Sequence, residues 1–118
     1  MTKTKTLYTI GYEGADIRDF VATLKTSGVE RLLDVRDVTT SRRPGFSKNQ
    51  LAAALEAEGI GYVHLRGLGD PKPGREAARA GDIAAFRRIY AAHLATASAQ
   101  ADLSAASREA TAASACLM

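Results

Sequence analysis

The stretch VERLLDVRDVTTSRRPGFSKNQLAAALEAEG, residues 29–59, joins a buried-looking run to an amphipathic one through a polar connection. Val29 to Val35 is apolar and too short for a helix, which fits a buried strand. Ser47-Lys48-Asn49-Gln50 has the pattern of a capping box, opening a helix that runs through Glu58 and stops at Gly59. Strand followed by helix is the unit from which parallel, helix-covered sheets are built. The connection itself carries Arg36, Arg42, Arg43 and Lys48, so the chain leaves its core straight into a concentration of positive charge.

The same unit recurs on either side. Leu7-Tyr8-Thr9-Ile10 is a β-prone run ended by Gly11, and from Asp16 onward Ile17, Phe20, Val21 and Leu24 fall at helical spacing until Ser27-Gly28. Ile60 to Leu65 reads as a third strand, Gly67 to Gly74 as a glycine- and proline-rich loop, and Asp82 as the start of a helix carrying Ile83, Phe86, Ile89, Tyr90 and His93 or Leu94. The alanine- and serine-rich segment from Ala95 to Ala113 is compatible with a helix around Ala97 to Ala106, and Ala113 to Met118 reads as a fourth strand. This alternation predicts a three-layer α/β domain, Rossmann-like or flavodoxin-like, with a mainly parallel sheet of about four strands and right-handed crossovers. No internal repeat or linker divides the chain, so residues 1–118 are expected to form a single domain.

Composition bounds the function. The 118 residues are 46% apolar, enough for one modest core. Sixteen basic against thirteen acidic residues give a net charge of +3, an excess that matters only if it gathers on one face. The lone cysteine, Cys116, rules out an internal disulfide and fits a reducing compartment. No apolar run approaches the length of a membrane span, and the basic start at Met1 to Thr6 is not followed by a signal-type hydrophobic region. A cytoplasmic protein without a membrane partner is expected. With no tryptophan, three phenylalanines and four tyrosines, few platforms are available for stacking single-stranded bases. No His and Cys pair has metal-ligand spacing, so no metal is expected. Gly11 and Gly14 fall short of a G-x-G-x-x-G fingerprint and no P-loop is present, so the sequence names no cofactor.

In such sheets ligands bind where the strands end and the loops into helices begin. That rim would gather Gly11, Tyr12 and Glu13 from the first loop, Asp34, Arg36, Arg42, Arg43 and Lys48 from the second, and His64, Arg66, Lys72 and Arg75 from the third. Guanidinium forks, exposed backbone N–H groups and positive helix ends are the devices that bind phosphate or carboxylate, so the rim reads as an anion site. Each feature also has a plainer reading. Arg42-Arg43-Pro44-Gly45 is equally a solvated turn. Asp34 and Arg36, two apart on a strand and hence on one face, are a structural ion pair or a functional one. His64 is a satisfied strand-end histidine or a base, Glu13 a favourable charge before a helix or a proton carrier, and Cys116 a small core residue. His93, within a helix, reads as packing or surface.

Thr9-Ile10-Gly11-Tyr12-Glu13-Gly14, Leu33-Asp34-Val35-Arg36, Ser41-Arg42-Arg43-Pro44-Gly45-Phe46-Ser47 and Tyr62-Val63-His64-Leu65-Arg66-Gly67-Leu68-Gly69, in this order, resemble the bacterial and archaeal family called domain of unknown function 488, and Phe86 through Leu94 is similar to that family's next helix. The resemblance implies a cytoplasmic α/β domain and names no reaction. It also implies a further Cys- and His-Arg-bearing motif after the segment like Ala113 to Met118. Its absence from this sequence gives the expectation of a chain shortened at the C-terminus relative to the family, with Cys116 not standing for the family's cysteine.

Two functions follow as expectations. The first is an enzyme, or the remnant of one, acting on a phosphate-bearing small molecule such as a nucleotide. There Arg36, Arg42 and Arg43 hold the anion with Gly11, Tyr12, Asp34, Lys48 and Arg66 around it, Glu13 or His64 moves a proton, and the glycine-rich loop before Arg75 serves as a lid. The second is a noncatalytic nucleic-acid-binding module in which the same basic residues grip successive phosphates. A strand ending the chain without a polar segment after it also suggests a homodimer that hides an uncovered edge or floor of the sheet.

Overall fold

In the computed structural model, which describes residues 6–118, four strands form one wholly parallel sheet in the order β1-β4-β2-β3. These are β1 (Leu7–Thr9), β2 (Arg31–Asp34), β3 (Gly61–His64) and β4 (Ala115–Leu117). The helices are α1 (Ile17–Thr26), α2 (Lys48–Glu56), α3 (Lys72–Arg79), α4 (Ile83–Leu94) and α5 (Ala97–Ala112), with a single 3-10 turn at Arg66–Leu68. The expected α/β class with a parallel four-stranded sheet is therefore what the chain adopts. The basic stretch before Thr6 lies outside the described residues.

Alternation along the strands builds the two cores. Leu32 lies in register with Cys116 and Tyr62, and this face is covered by Phe20, Val21 and Leu24 of α1 and Leu51 and Leu55 of α2. Leu33, one residue on, faces the opposite way and packs with Leu65, Leu68, Ala115 and Ala106 of α5. A Cβ on Gly67 would lie 2.8 Å from the Ser98 carbonyl oxygen and 2.6 Å from Asp102 Oδ2, so the 3-10 turn meets α5 too closely for any side chain at residue 67.

Helix α1 begins as expected, with Asp16 Oδ1 accepting from the Arg18 N–H at 2.8 Å. Helix α2 does not use its capping box. Ser47 Oγ instead accepts from the Ser41 N–H at 3.0 Å and donates to the Ser41 carbonyl at 3.3 Å, while Gln50 Oε1 accepts from the Gly45 N–H at 3.3 Å. The 35–47 connection folds back over the helix start and takes both side chains for itself. The segment read as a loop before Gly74 is partly helical, because Pro73 sits in the first turn of α3, where a missing N–H costs nothing. Helix α5 runs six residues beyond the expected Ala106, to Ala112.

Strand β4 lies between β1 and β2, so the edges of the sheet are β1 and β3.

Candidate functional site

Because all four strands run the same way, the connections after β1, β2 and β3 leave from one end of the sheet. Asp34, the last residue of β2, is fully buried there. Its two carboxylate oxygens each accept one arm of Arg36, Nε to Oδ1 at 2.9 Å and Nη2 to Oδ2 at 2.8 Å. The Arg36 backbone N–H also reaches Oδ1 at 3.1 Å, and the Tyr62 hydroxyl donates to Oδ2 at 2.6 Å. On its other side the guanidinium carbon stands 5.2 Å from the centre of the Tyr12 ring, whose hydroxyl accepts from Nη1 at 3.4 Å.

This network sets its own electrostatics. Burial alone would raise the Asp34 pKa, but the hydrogen bonds from Arg36 and Tyr62 outweigh it and hold the carboxyl below its ordinary range. Burial opposes the charge on Arg36 as well, and the bonds to Asp34 and Tyr12 more than offset it, so the guanidinium stays charged. Burial, and then donation to Asp34, push the Tyr62 phenol well above its usual value. At neutral pH the group is a carboxylate, a guanidinium and a neutral phenol.

A second tier holds the first in place. Phe46 is fully buried, stacks on Tyr12 at 4.7 Å between centroids and meets the Phe20 ring edge-on at 5.1 Å. It is the anchor of the arginine-rich connection, and the turn before it needs Gly45, at φ +87°, with Ile17 Cβ only 2.8 Å from where a Cβ would be. Asp37 accepts from Arg66 Nε at 3.0 Å and Arg75 Nη1 at 2.8 Å; these partners hold its carboxyl below the usual range, Arg75 first. His64 Nε2 lies 2.8 Å from the Arg36 carbonyl, which only accepts, so this nitrogen carries the proton. Gly69 lies so close to the backbone of Val35 and Asp37 that a Cβ would come within 2.5 Å of both. Gly67, Gly69 and Gly74 are all buried, and the segment expected to act as a lid is a packed buttress.

Two open clefts flank Tyr12 and Met118, which line both. One, of about 500 Å³, is completed by Ile10, Gly11, Glu13 and Arg43. The other, of about 530 Å³, is lined by Arg36 together with residues of the second and third loops, α3 and α4. Of the residues singled out from sequence, Gly11, Tyr12, Glu13, Arg36, Arg43 and Arg75 therefore meet at the clefts, with Asp34 beneath. Arg43 also donates from Nη1 to the Ala15 carbonyl at 2.9 Å. Glu13, Arg42 and Lys48 are exposed, and none of their side chains has a polar partner among the described residues. Arg66 is turned to Asp37, and His64 lines neither cleft. Tyr62 and Asp37 were not foreseen as parts of the site. Tyr62 was the legible one, since it precedes His64 by two residues on β3 and so shares the face of Asp34.

Among the described residues no three His, Cys, Asp or Glu side chains are grouped to hold a metal ion, and no helix is long and apolar enough to cross a membrane. No curated protein and no solved structure matches the chain. The family model described as Domain of unknown function DUF488 matches it over residues 16–118, from the cap of α1 through the end of β4, and the chain belongs to that family.

Proposed function

We propose that this chain binds a small phosphate-bearing molecule at the C-terminal rim of its sheet and acts on it by proton transfer. The observation that carries the reading is the state of Arg36. Of its five N–H donors, two are bound by Asp34 and one by Tyr12, which leaves one on each terminal nitrogen for a ligand in the adjoining cleft. A guanidinium fixed in advance loses little rotamer freedom on binding and suits the paired oxygens of a phosphate. Arg43 supplies a second cation in the neighbouring cleft. Glu13 beside it, exposed and without a polar partner, is the group placed to take and return a proton. His64 serves by holding the Arg36 carbonyl.

The unpaired Arg42 and Lys48 favour a second reading, contact with successive phosphates of a nucleic acid. Calorimetric titration of inorganic phosphate, ribose 5-phosphate and an oligonucleotide at several salt concentrations separates the two. A phosphate monoester bound at one site with a shallow salt dependence, weakened by about 1–3 kcal/mol in Arg36→Ala and less in Arg43→Ala, is the expected result. Tight oligonucleotide binding with a slope of several charges supports the second reading, and the absence of phosphate binding overturns the first.

A further inference from the structure

The cleft lined by Arg36 has a wall of unusual composition for this chain. Three of its seven phenylalanine and tyrosine rings line it, Tyr12 and, one turn apart on α4, Phe86 and Tyr90. The centroids of the two α4 rings are 5.9 Å apart and their planes differ by 8°. The Tyr90 hydroxyl donates to the Leu68 carbonyl, and the next ring along the helix, His93, donates from Nε2 to the Gly67 carbonyl at 2.8 Å. Tyr90 and His93 are therefore held from the 3-10 turn, Phe86 is held by stacking on Tyr90, and neither Phe86 nor Tyr90 is fully buried. Leu68, Val35, Val38 and Met118 add apolar surface, and the charged lining is Arg36 and Arg75 with the carboxylates of Asp70 and Asp37, the last paired with Arg75 at 2.8 Å. A cleft of about 530 Å³ with this division is within the size of small-molecule sites and has their character, an apolar body with few polar contacts.

We infer that the phosphate-bearing ligand is a nucleoside monophosphate, its base lying against Phe86 and Tyr90 and its phosphate on Arg36. This rests on the phosphate-binding reading above and adds what the anion contacts leave undetermined. A sugar phosphate would satisfy Arg36 and leave the aromatic wall facing water. A planar base covers that wall at little entropic cost, since the rings are already oriented.

The test is calorimetry of the full chain with ribose 5-phosphate, adenosine and uridine monophosphates, and the two nucleosides, on the natural protein and on Phe86→Leu. A monophosphate that binds about tenfold more tightly than ribose 5-phosphate, with the advantage lost in Phe86→Leu while ribose 5-phosphate affinity is kept, is the expected result. Equal affinity for monophosphate and ribose 5-phosphate overturns this inference and leaves the phosphate-binding reading standing. Failure of every phosphate compound to bind overturns both. If Phe86→Leu does not fold, the natural protein still decides, because a stacked base shifts the Phe86 and Tyr90 ring proton resonances during titration, and unshifted resonances at saturation refute the placement.

Discussion

Replacing Asp34 with Asn tests the network at its base. The carboxylate is fully buried and accepts four hydrogen bonds, while its partner's side chain is only 12% exposed. An amide keeps one carbonyl oxygen for the Arg36 N–H groups now on Oδ1. It then presents N–H groups to Nη2, donor against donor, and leaves the guanidinium charge without its counterion. Breaking a buried pair from one side costs about 3–5 kcal/mol, because the remaining charge is still desolvated. Against a total stability of roughly 5–15 kcal/mol that is a large fraction. With about 2.1 cal/mol/K of unfolding entropy per residue over 118 residues, each kcal/mol moves Tm by about 4 °C, so the variant should melt about 12–20 °C lower. The chain has no tryptophan, so urea and thermal unfolding followed by far-UV circular dichroism are the suitable assays. The sign with pH is also fixed. The folded pKa of Asp34 lies below its unfolded value, so its contribution is complete above about pH 4 and is lost as pH falls through the folded value. The gap between natural protein and variant should narrow on acidification. The double variant Asp34→Leu with Arg36→Met, which removes both charges, should be less damaging than Asp34→Asn alone. A loss below about 1 kcal/mol in Asp34→Asn, or a gap that widens in acid, would refute the account of the pair.

Two further outcomes are expected. Gly69→Ala should cost about 2–3 kcal/mol in urea titration, since the new Cβ meets the Val35 oxygen and Asp37 nitrogen at 2.5 Å and neither is a side chain that can swing aside; a change within about 0.5 kcal/mol would show that the turn yields. Burial pushes the Cys116 thiol from 9.0 up to about 11, so its contribution is present below pH 9 and disappears as pH rises toward 11; Cys116→Ala should remove about 2–3 kcal/mol of that alkaline loss, and parallel pH profiles for the two proteins would refute it.

The parallel α/β plan was legible because it is written in local periodicity: Leu32 and Leu33 inside, Phe20 and Leu24 at helical spacing, and a turn at Gly28 and Gly59 at φ +74° each. What local patterns do not carry is who stands beside whom. The same alternation suits any strand order, so the place of β4 between β1 and β2 could not be read from it. Glycine misled for a related reason. Gly67, Gly69 and Gly74 look like flexibility in a list of residue types, but in space each is a point where backbone or a carboxylate passes too close for a Cβ. At the site, spacing placed Asp34 and Arg36 on one face. The tyrosines that complete the pair come from a loop more than twenty residues earlier and a strand 28 residues later, and only folding brings them together.

The position of β4 also dictates an order of events. Strand β1 touches the sheet only through β4, and the pairing of Leu7 with Ala115 joins residues 108 apart in the chain. Closing a loop of that length costs roughly 4 kcal/mol beyond the constant term, so it is among the last contacts worth making. At about 5–20 residues per second, synthesis leaves β1 without its neighbour for about 5–22 s, while β2 and β3 are already available to each other. In that interval Leu7 and Tyr8 offer both edges of a bare strand to any passing chain, and the arrival of Ala115 to Leu117 pairs one of them.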